Sequence, residues 1–190
     1  MEFAAKERLH DVDLPRSFLV GKRREYETGL HFKNARSLAR LAKEKQAADP
    51  QYPVAAVLFH DADGTRSTER GLFEAKWKSI SDGFKAEQFD RGIPMVPKPK
   101  SEAWLLCALK SQPYQRCETL EDSLSGNDHS PNPAKDQLEV LLSEQNRSVA
   151  DLPEMVAQGV IDPGRIDMPS FNRFRARLEE VTRQMIRRPE

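Results

Sequence analysis

The chain has 190 residues, of which 32% are charged and 38% are hydrophobic, and its 30 basic residues balance its 30 acidic ones. At about 150 residues per domain, this length predicts a single domain over residues 1–190 with a core that needs no disulfide. No apolar run approaches the ~20 residues of a membrane span. No signal peptide is visible in the first eight residues, and two cysteines form no zinc or disulfide-scaffold pattern. Membrane-spanning, cysteine-rich secreted and collagen-like proteins are therefore excluded, and we expect a cytoplasmic globular protein.

Charge is balanced overall but not locally. Basic residues dominate between Arg16 and Lys45, whereas acidic residues dominate between Glu118 and Glu154. A basic surface on a neutral protein is suited to a polyanion such as nucleic acid. Because a solvated helix face explains the same pattern more simply, the basic segment only supports a nucleic-acid partner.

The hydrophobic pattern predicts alternating helices and strands. Residues 54–59 form a continuous apolar run, which is typical of a strand buried on both faces of a parallel sheet. The other elements predicted in this half are helices over 30–45 and 68–84, a strand over 93–96, and a helix over 102–110 capped by Ser101. This order predicts an α/β domain with a mostly parallel sheet flanked by helices.

Additional helices are predicted toward the carboxyl end. Residues 117–130 are polar and rich in turn formers, so we expect a loop there. One helix then begins with Asn132 as its cap and Pro133 at its first position, and the last begins after Pro169 with Ser170 as its cap. The predicted core covers about residues 28–112, and the carboxyl-terminal helical part about residues 131–188.

Two aspartates, Asp61 and Asp63, directly follow the first predicted strand. Residues i and i+2 of a strand point to the same side, and parallel α/β sheets bind ligands beyond the carboxyl ends of their strands. Paired carboxylates repel each other unless a cation neutralises them, and Mg²⁺ (or Mn²⁺) prefers such oxygen ligands. The pair is therefore a candidate metal site for phosphate chemistry. An Asp-rich turn explains the same residues without a ligand.

The string Asp-Ala-Asp-Gly-Thr at residues 61–65 resembles the first motif of haloacid-dehalogenase-type phosphatases. That resemblance implies that Asp61 accepts the phosphate as nucleophile and that Asp63 is the acid/base. Arg66 stands where that family has an apolar residue. The later acidic pairs lie in polar sequence instead of after an apolar strand: Glu121-Asp122 and Asn127-Asp128.

The paired aspartates also resemble those of TOPRIM domains, the Mg²⁺-binding fold of topoisomerases, primases and OLD-type nucleases. Three further blocks are similar to RloB-like proteins and a related TOPRIM-like family of unknown function, and they stand in the same order: 101–106, 133–135 and 169–178. The resemblance extends over roughly residues 30–185. It implies a TOPRIM-like (Rossmann-like) α/β fold with extra carboxyl-terminal helices.

The TOPRIM resemblance also implies a function: a metal-dependent nuclease or phosphodiesterase in bacterial defence, often encoded beside an ABC- or SMC-like ATPase. Asp61 and Asp63 would hold Mg²⁺, and Glu102 and Lys135 would be catalytic. A favourable helix dipole explains Glu102 in the first turn of its helix equally well. Lys135 stands at a helix start, where a cation is unfavourable; as a contact to the scissile phosphate it would stabilise developing charge. Simple solvation is an equally good explanation for this lysine.

One part of the TOPRIM pattern is not recognisable. Such a domain opens with a strand that ends in a glutamate, but residues 1–13 hold no apolar run, and the run at 18–21 has no glutamate at its end. We therefore expect a chain that begins after that strand, through a late start codon or a truncation. If the site lacks that carboxylate, the alternative is a non-catalytic subunit of an ATPase complex, as a monomer or an oligomer.

Overall fold

The computed structural model describes residues 23–62, 72–131 and 133–186, and it describes the side chains of the first helix from residue 29 onward. The strands are β1, Ala56–Phe59, and β2, Gly92–Met95. The helices in chain order are α1, Arg23–Ala48; α2, Leu72–Ala86; α3, Ser101–Leu109; α4, Leu120–Ser123; α5, Ala134–Glu144; α6, Leu152–Ala157; and α7, Pro169–Ile186. Short 3₁₀ turns cover Cys117–Thr119, Val149–Asp151 and Pro163–Arg165. The predicted α/β class is confirmed.

The described residues divide into two compact units. Unit 1 contains the described residues up to Phe59, the segment Glu74–Met95 and the chain from Ala176 onward, whereas unit 2 contains the described residues of His60–Phe73 and Val96–Arg175. Each unit buries one of the two tryptophans of the chain, Trp77 in unit 1 and Trp104 in unit 2. The single domain over residues 1–190 stays a prediction.

Unit 1 contains the sheet. The two strands pair in parallel, from Ala56 opposite Gly92 to Phe59 opposite Met95, so the predicted parallel pairing is confirmed. The prediction that the first strand is buried on both faces is wrong, because Val57 is 45% exposed and Phe59 48% exposed. A parallel strand is buried on both faces only where other elements of the fold cover both faces of its sheet. Helix α1 packs on β1, but the side chains of these two residues are left half in solvent.

Helices α1 and α2 approach each other closely at Gly83. A Cβ atom added there would lie 2.5 Å from the Phe32 carbonyl oxygen and 2.7 Å from the Ala35 Cβ. Only glycine therefore allows this backbone contact. The same helix α2 buries Ile80 and Phe84, at the helical spacing that the sequence predicts.

The predicted basic segment has a structural role on α1. Glu87, which follows α2, accepts a 2.6 Å hydrogen bond from Arg36 and forms a 3.1 Å ion pair with Arg40. The Lys43 ammonium donates to the Glu87 carbonyl oxygen. Burial opposes ionisation of Glu87, but hydrogen bonds from Arg40 and Arg36 outweigh it and lower its pKa. Three basic side chains of this helix, Arg36, Arg40 and Lys43, thus bind Glu87 within unit 1.

Replacing Glu87 by glutamine is expected to destabilise unit 1 by about 1–2 kcal/mol, because two guanidinium groups lose their anionic partner. The pKa of Glu87 lies below its ordinary value of 4.5, so its contribution is complete above pH 4.5 and is lost as pH falls through the lowered pKa. Thermal melts of wild type and Glu87→Gln should therefore converge in acid. Asp82→Asn, which removes an exposed ion pair to Lys78 on α2, is the control and should change stability by less than about 0.5 kcal/mol. A constant difference down to strongly acidic pH would contradict this role.

Unit 2 is built around α3 and the first half of α7. Trp104 stacks on Phe174, with ring centroids 5.8 Å apart, and meets Phe171 edge-on at 4.8 Å. The Trp104 Nε1–H donates to the Ser170 hydroxyl at 2.9 Å, and the Ser170 N–H donates to the Glu121 carboxylate at 2.7 Å. Because all these polar groups are buried, their pairing avoids the cost of unsatisfied donors.

Several predicted caps and loops differ from the structure. Ser170 is not the cap of the last helix, because it lies in the first turn of α7. The backbone N–H of Ser170 donates instead to the distant carboxylate of Glu121. Pro133 is the N-cap residue of α5 and not its first helical residue, while Asn132 lies outside the described residues. The predicted loop over 117–130 begins with helical turns over 117–123. At the start of α7, the contact from Glu121 outweighs the local preference for a serine cap.

A disulfide joins Cys107 of α3 to Cys117, with Cα atoms 5.3 Å apart. The two cysteines match no disulfide-scaffold pattern in the sequence, and this single bridge was not predicted. Both residues are at most 1% exposed, and the bridge closes a loop with a sequence separation of 10. Two cysteines at this spacing match no known disulfide or metal-binding pattern, so composition and spacing alone do not predict the bridge.

None of the helices in the described part of the chain is sufficiently long and apolar to span a membrane.

Candidate functional site

Asp61 lies two residues beyond the end of β1 and is partly buried. Its Oδ1 accepts a 2.9 Å hydrogen bond from the backbone N–H of Ser101, the first residue of α3. Beside it, the Ala62 N–H donates to the Pro97 carbonyl oxygen at 2.8 Å. Within unit 2, these two contacts join the segments that follow the two strands in the chain. Asp63, the predicted second metal ligand, lies outside the described residues.

The contact to Ser101 gives Asp61 a structural role. The sequence predicts that the Ser101 side chain caps α3, but the N-cap residue is Lys100, whose side chain makes no capping hydrogen bond. The Asp61 carboxylate supplies that contact from 40 residues away. A carboxylate at a helix N-terminus is also favoured by the helix dipole. The same contact fixes the orientation of the carboxylate.

Glu102, a predicted catalytic residue, is confirmed in the first turn of α3. It is partly buried, and one of its carboxylate oxygens lies 3.4 Å from the Ser101 hydroxyl, which donates to it. Glu102 is therefore next in sequence to the residue that binds Asp61. The helix dipole and a catalytic role both remain compatible with this position.

Two lysines, Lys98 and Lys100, directly precede α3, and the sequence alone predicted no role for them. The Lys98 ammonium donates to the Asp122 carboxylate at 2.9 Å, and the Lys100 ammonium donates to the Asp128 carboxylate at 2.5 Å. The hydrogen bond from Lys100 lowers the pKa of Asp128, against a smaller opposing effect of burial. Their placement in the segment after the second predicted strand, where α/β sheets bind ligands, was the signal that could have found them.

Lys135, the other predicted catalytic residue, is the second residue of α5 and is 56% exposed. Its ammonium lies 4.0 Å from the Glu139 carboxylate, one turn along the helix. The N–H of the preceding Ala134 donates to the Ser125 carbonyl oxygen at 3.3 Å, which ties the start of α5 to the loop that carries Asp128. Lys135 is close enough to help lower the pKa of Asp128.

The acidic residues considered for a phosphatase site have structural partners in unit 2. Glu121 is buried and binds the start of α7, and Asp122 pairs with Lys98. Asn127 accepts a hydrogen bond from the His129 N–H, and Asp128 pairs with Lys100. These structural contacts explain the presence of all four residues, so none of them requires a catalytic role.

The carboxylates near the end of β1 are the residues that would hold the implied Mg²⁺ ion. Among the residues that the structure describes, no group of three or more His, Cys, Asp or Glu side chains could hold a metal ion. Asp61 supplies the kind of hard oxygen ligand that Mg²⁺ prefers, but it is the one member of the proposed pair within the described ranges. The described residues alone therefore do not complete a metal site.

Comparisons with protein-family models, with curated proteins and with solved structures gave no match for this chain. The resemblances seen in the sequence stay predictions.

Proposed function

We propose that this protein is a metal-dependent nuclease or phosphodiesterase with a TOPRIM-like fold. The observation that carries the proposal is the position of Asp61: a partly buried carboxylate, just after a parallel strand, oriented by the first N–H of α3. Ligand sites of parallel α/β proteins lie at such strand ends. A carboxylate fixed in this way is suited to hold a cation in a defined geometry.

The surroundings of Asp61 support phosphate as the substrate group. Lys98 and Lys100 belong to the segment that leads to Ser101. Lys135 is the second residue of α5, and Ala134 before it is hydrogen-bonded to the loop that carries Asp128. Cations near a reacting phosphodiester stabilise the negative charge that develops on its oxygens. Glu102 adds a second carboxylate beside the start of α3.

In this proposal Asp61 and Asp63 would hold Mg²⁺ or Mn²⁺, with Glu102 and Lys135 as catalytic residues. Bound there, such a cation would supply charge stabilisation and an activated water. Asp61 would be held by the Ser101 N–H throughout, and Lys135 would contact the phosphate.

The test is cleavage of plasmid DNA and of total tRNA by the purified chain in Mg²⁺, in Mn²⁺ and in EDTA. We expect cleavage that needs the metal and that the Asp61→Ala/Asp63→Ala double variant loses. Asp90→Ala, which removes an exposed carboxylate of unit 1, is the matched control and should cleave as wild type. Cleavage that persists in EDTA or in the double variant would contradict the proposal.

Two alternatives give different results in the same preparation. A haloacid-dehalogenase-type phosphatase would hydrolyse small phosphomonoesters, but the structural contacts of Glu121, Asp122 and Asp128 disfavour it. A non-catalytic subunit of an ATPase complex is the other alternative. It would cleave nothing, and it would copurify with an ABC- or SMC-like ATPase with or without the two aspartates.

A further inference from the structure

Helix α4 and the loop that follows it place carboxylates on both lysines that precede α3. Lys98 pairs with Asp122 and Lys100 with Asp128, over 24 and 28 residues of sequence. The lysines are the more buried partners, with side chains 30% and 12% exposed, whereas the aspartate side chains are 82% and 54% exposed. The cations thus lie in unit 2 with an acidic segment over them.

Such contacts are easily exchanged. An ion pair with an exposed partner contributes little to stability, because water and salt compete with it. Phosphates of a polyanion would take the place of these carboxylates and release counterions from the nucleic acid as they bind. The lysines would then keep an anionic partner, and the aspartates would return to water.

The third cation belongs to the same surface. Ala134 is hydrogen-bonded to Ser125, in the same loop as Asp128, and Lys135 follows it with a mostly exposed side chain. Its Glu139 contact is 4.0 Å long, so this pairing is weak.

We propose that Lys98, Lys100 and Lys135 form a lysine strip that binds the phosphates of a nucleic-acid backbone, and that Asp122 and Asp128 cover it in the free protein. In this proposal the strip is the contact to the substrate backbone, and Asp122 and Asp128 compete with the substrate for it. The proposal rests on the proposed nuclease function. Asp122 and Asp128 lower the affinity of the strip for every polyanion. A nucleic acid therefore has to displace these two carboxylates before it binds Lys98 and Lys100.

The test is binding of short fluorescein-labelled single-stranded DNA and RNA, followed by anisotropy in EDTA so that cleavage does not contribute. Asp122→Asn/Asp128→Asn is expected to tighten binding by about three- to tenfold, whereas Lys98→Gln/Lys100→Gln should weaken it by tenfold or more. The slope of log affinity against log salt should also fall by about 0.7 for each lysine removed. Glu144→Gln/Glu154→Gln removes the same charge from exposed positions of unit 2 and is the control for net charge.

Each outcome decides the question. If the control tightens nucleic-acid binding as much as Asp122→Asn/Asp128→Asn does, the effect is one of net charge. That result would overturn the competition by these two aspartates. An unchanged affinity or salt slope in the lysine variant, or no binding by any variant, would overturn the strip. Binding that follows the expected order without any cleavage in Mg²⁺ would support the strip and contradict only the nuclease.

Discussion

Asp61→Asn is expected to reduce metal-dependent cleavage by at least ~100-fold while the fold stays almost as stable as wild type. The amide removes the negative charge that a cation needs, but its oxygen can still accept the hydrogen bond from the Ser101 N–H. Asp61→Ala removes both the negative charge and the acceptor of the Ser101 hydrogen bond. It should lose the same activity and about 1 kcal/mol of stability, which corresponds to a Tm lower by roughly 2–4 °C.

Cleavage rates and thermal melts of the two variants, measured side by side, separate the two roles of this carboxylate. Ser101→Ala leaves the backbone N–H in place and serves as the control, with an unchanged contact to Asp61. An active Asp61→Asn would exclude metal binding by this carboxylate. Equal stability of Asp61→Ala and wild type would exclude its role at the start of α3.

Removal of the disulfide, by Cys107→Ser/Cys117→Ser or by a reductant, is expected to lower the stability of unit 2 by about 3 kcal/mol. The bridge restricts the unfolded chain by closing a loop of sequence separation 10, and both residues are buried in unit 2. For a chain of this length the Tm should fall by roughly 6–12 °C.

Thermal melts of the oxidised wild type, the reduced wild type and the double variant measure this effect. A reductant should shift the wild type and leave the double variant unchanged, since that variant has no bridge to lose. Identical melts of oxidised and reduced wild type would show that the bridge does not stabilise the native state. If the effect is found, stability depends on a compartment that keeps the pair oxidised.

The hydrophobic pattern was sufficient to predict the kind and order of the elements in the α/β half, but not all of their bounds. Short apolar runs predicted the two strands, and the helix between them predicted their parallel pairing. Helix α1 is longer than predicted, because it extends over Arg23–Ala48 instead of 30–45. The exposure of Val57 and Phe59 could not be predicted, because the same apolar run fits a strand covered on one face or on two. Burial depends on which elements pack on the sheet, and composition does not specify that.

The candidate site divides in the same way. The position of Asp61 after a strand and of Glu102 in a first helical turn could be predicted from sequence order. The hydrogen bond from Ser101 to Asp61 and the ion pairs of Lys98 and Lys100 could not. They join residues 24 to 40 positions apart, and such contacts depend on tertiary packing that no local preference encodes.

The separate burial of Trp77 and Trp104 makes intrinsic fluorescence a reporter for each unit. The chain contains two tryptophans, so Trp77→Phe leaves emission from unit 2 alone, and Trp104→Phe leaves emission from unit 1 alone. Denaturant titrations of the two variants would then give one unfolding curve for each unit. Coincident midpoints would mean that the units unfold as one cooperative system, whereas distinct midpoints would give each unit its own free energy of unfolding.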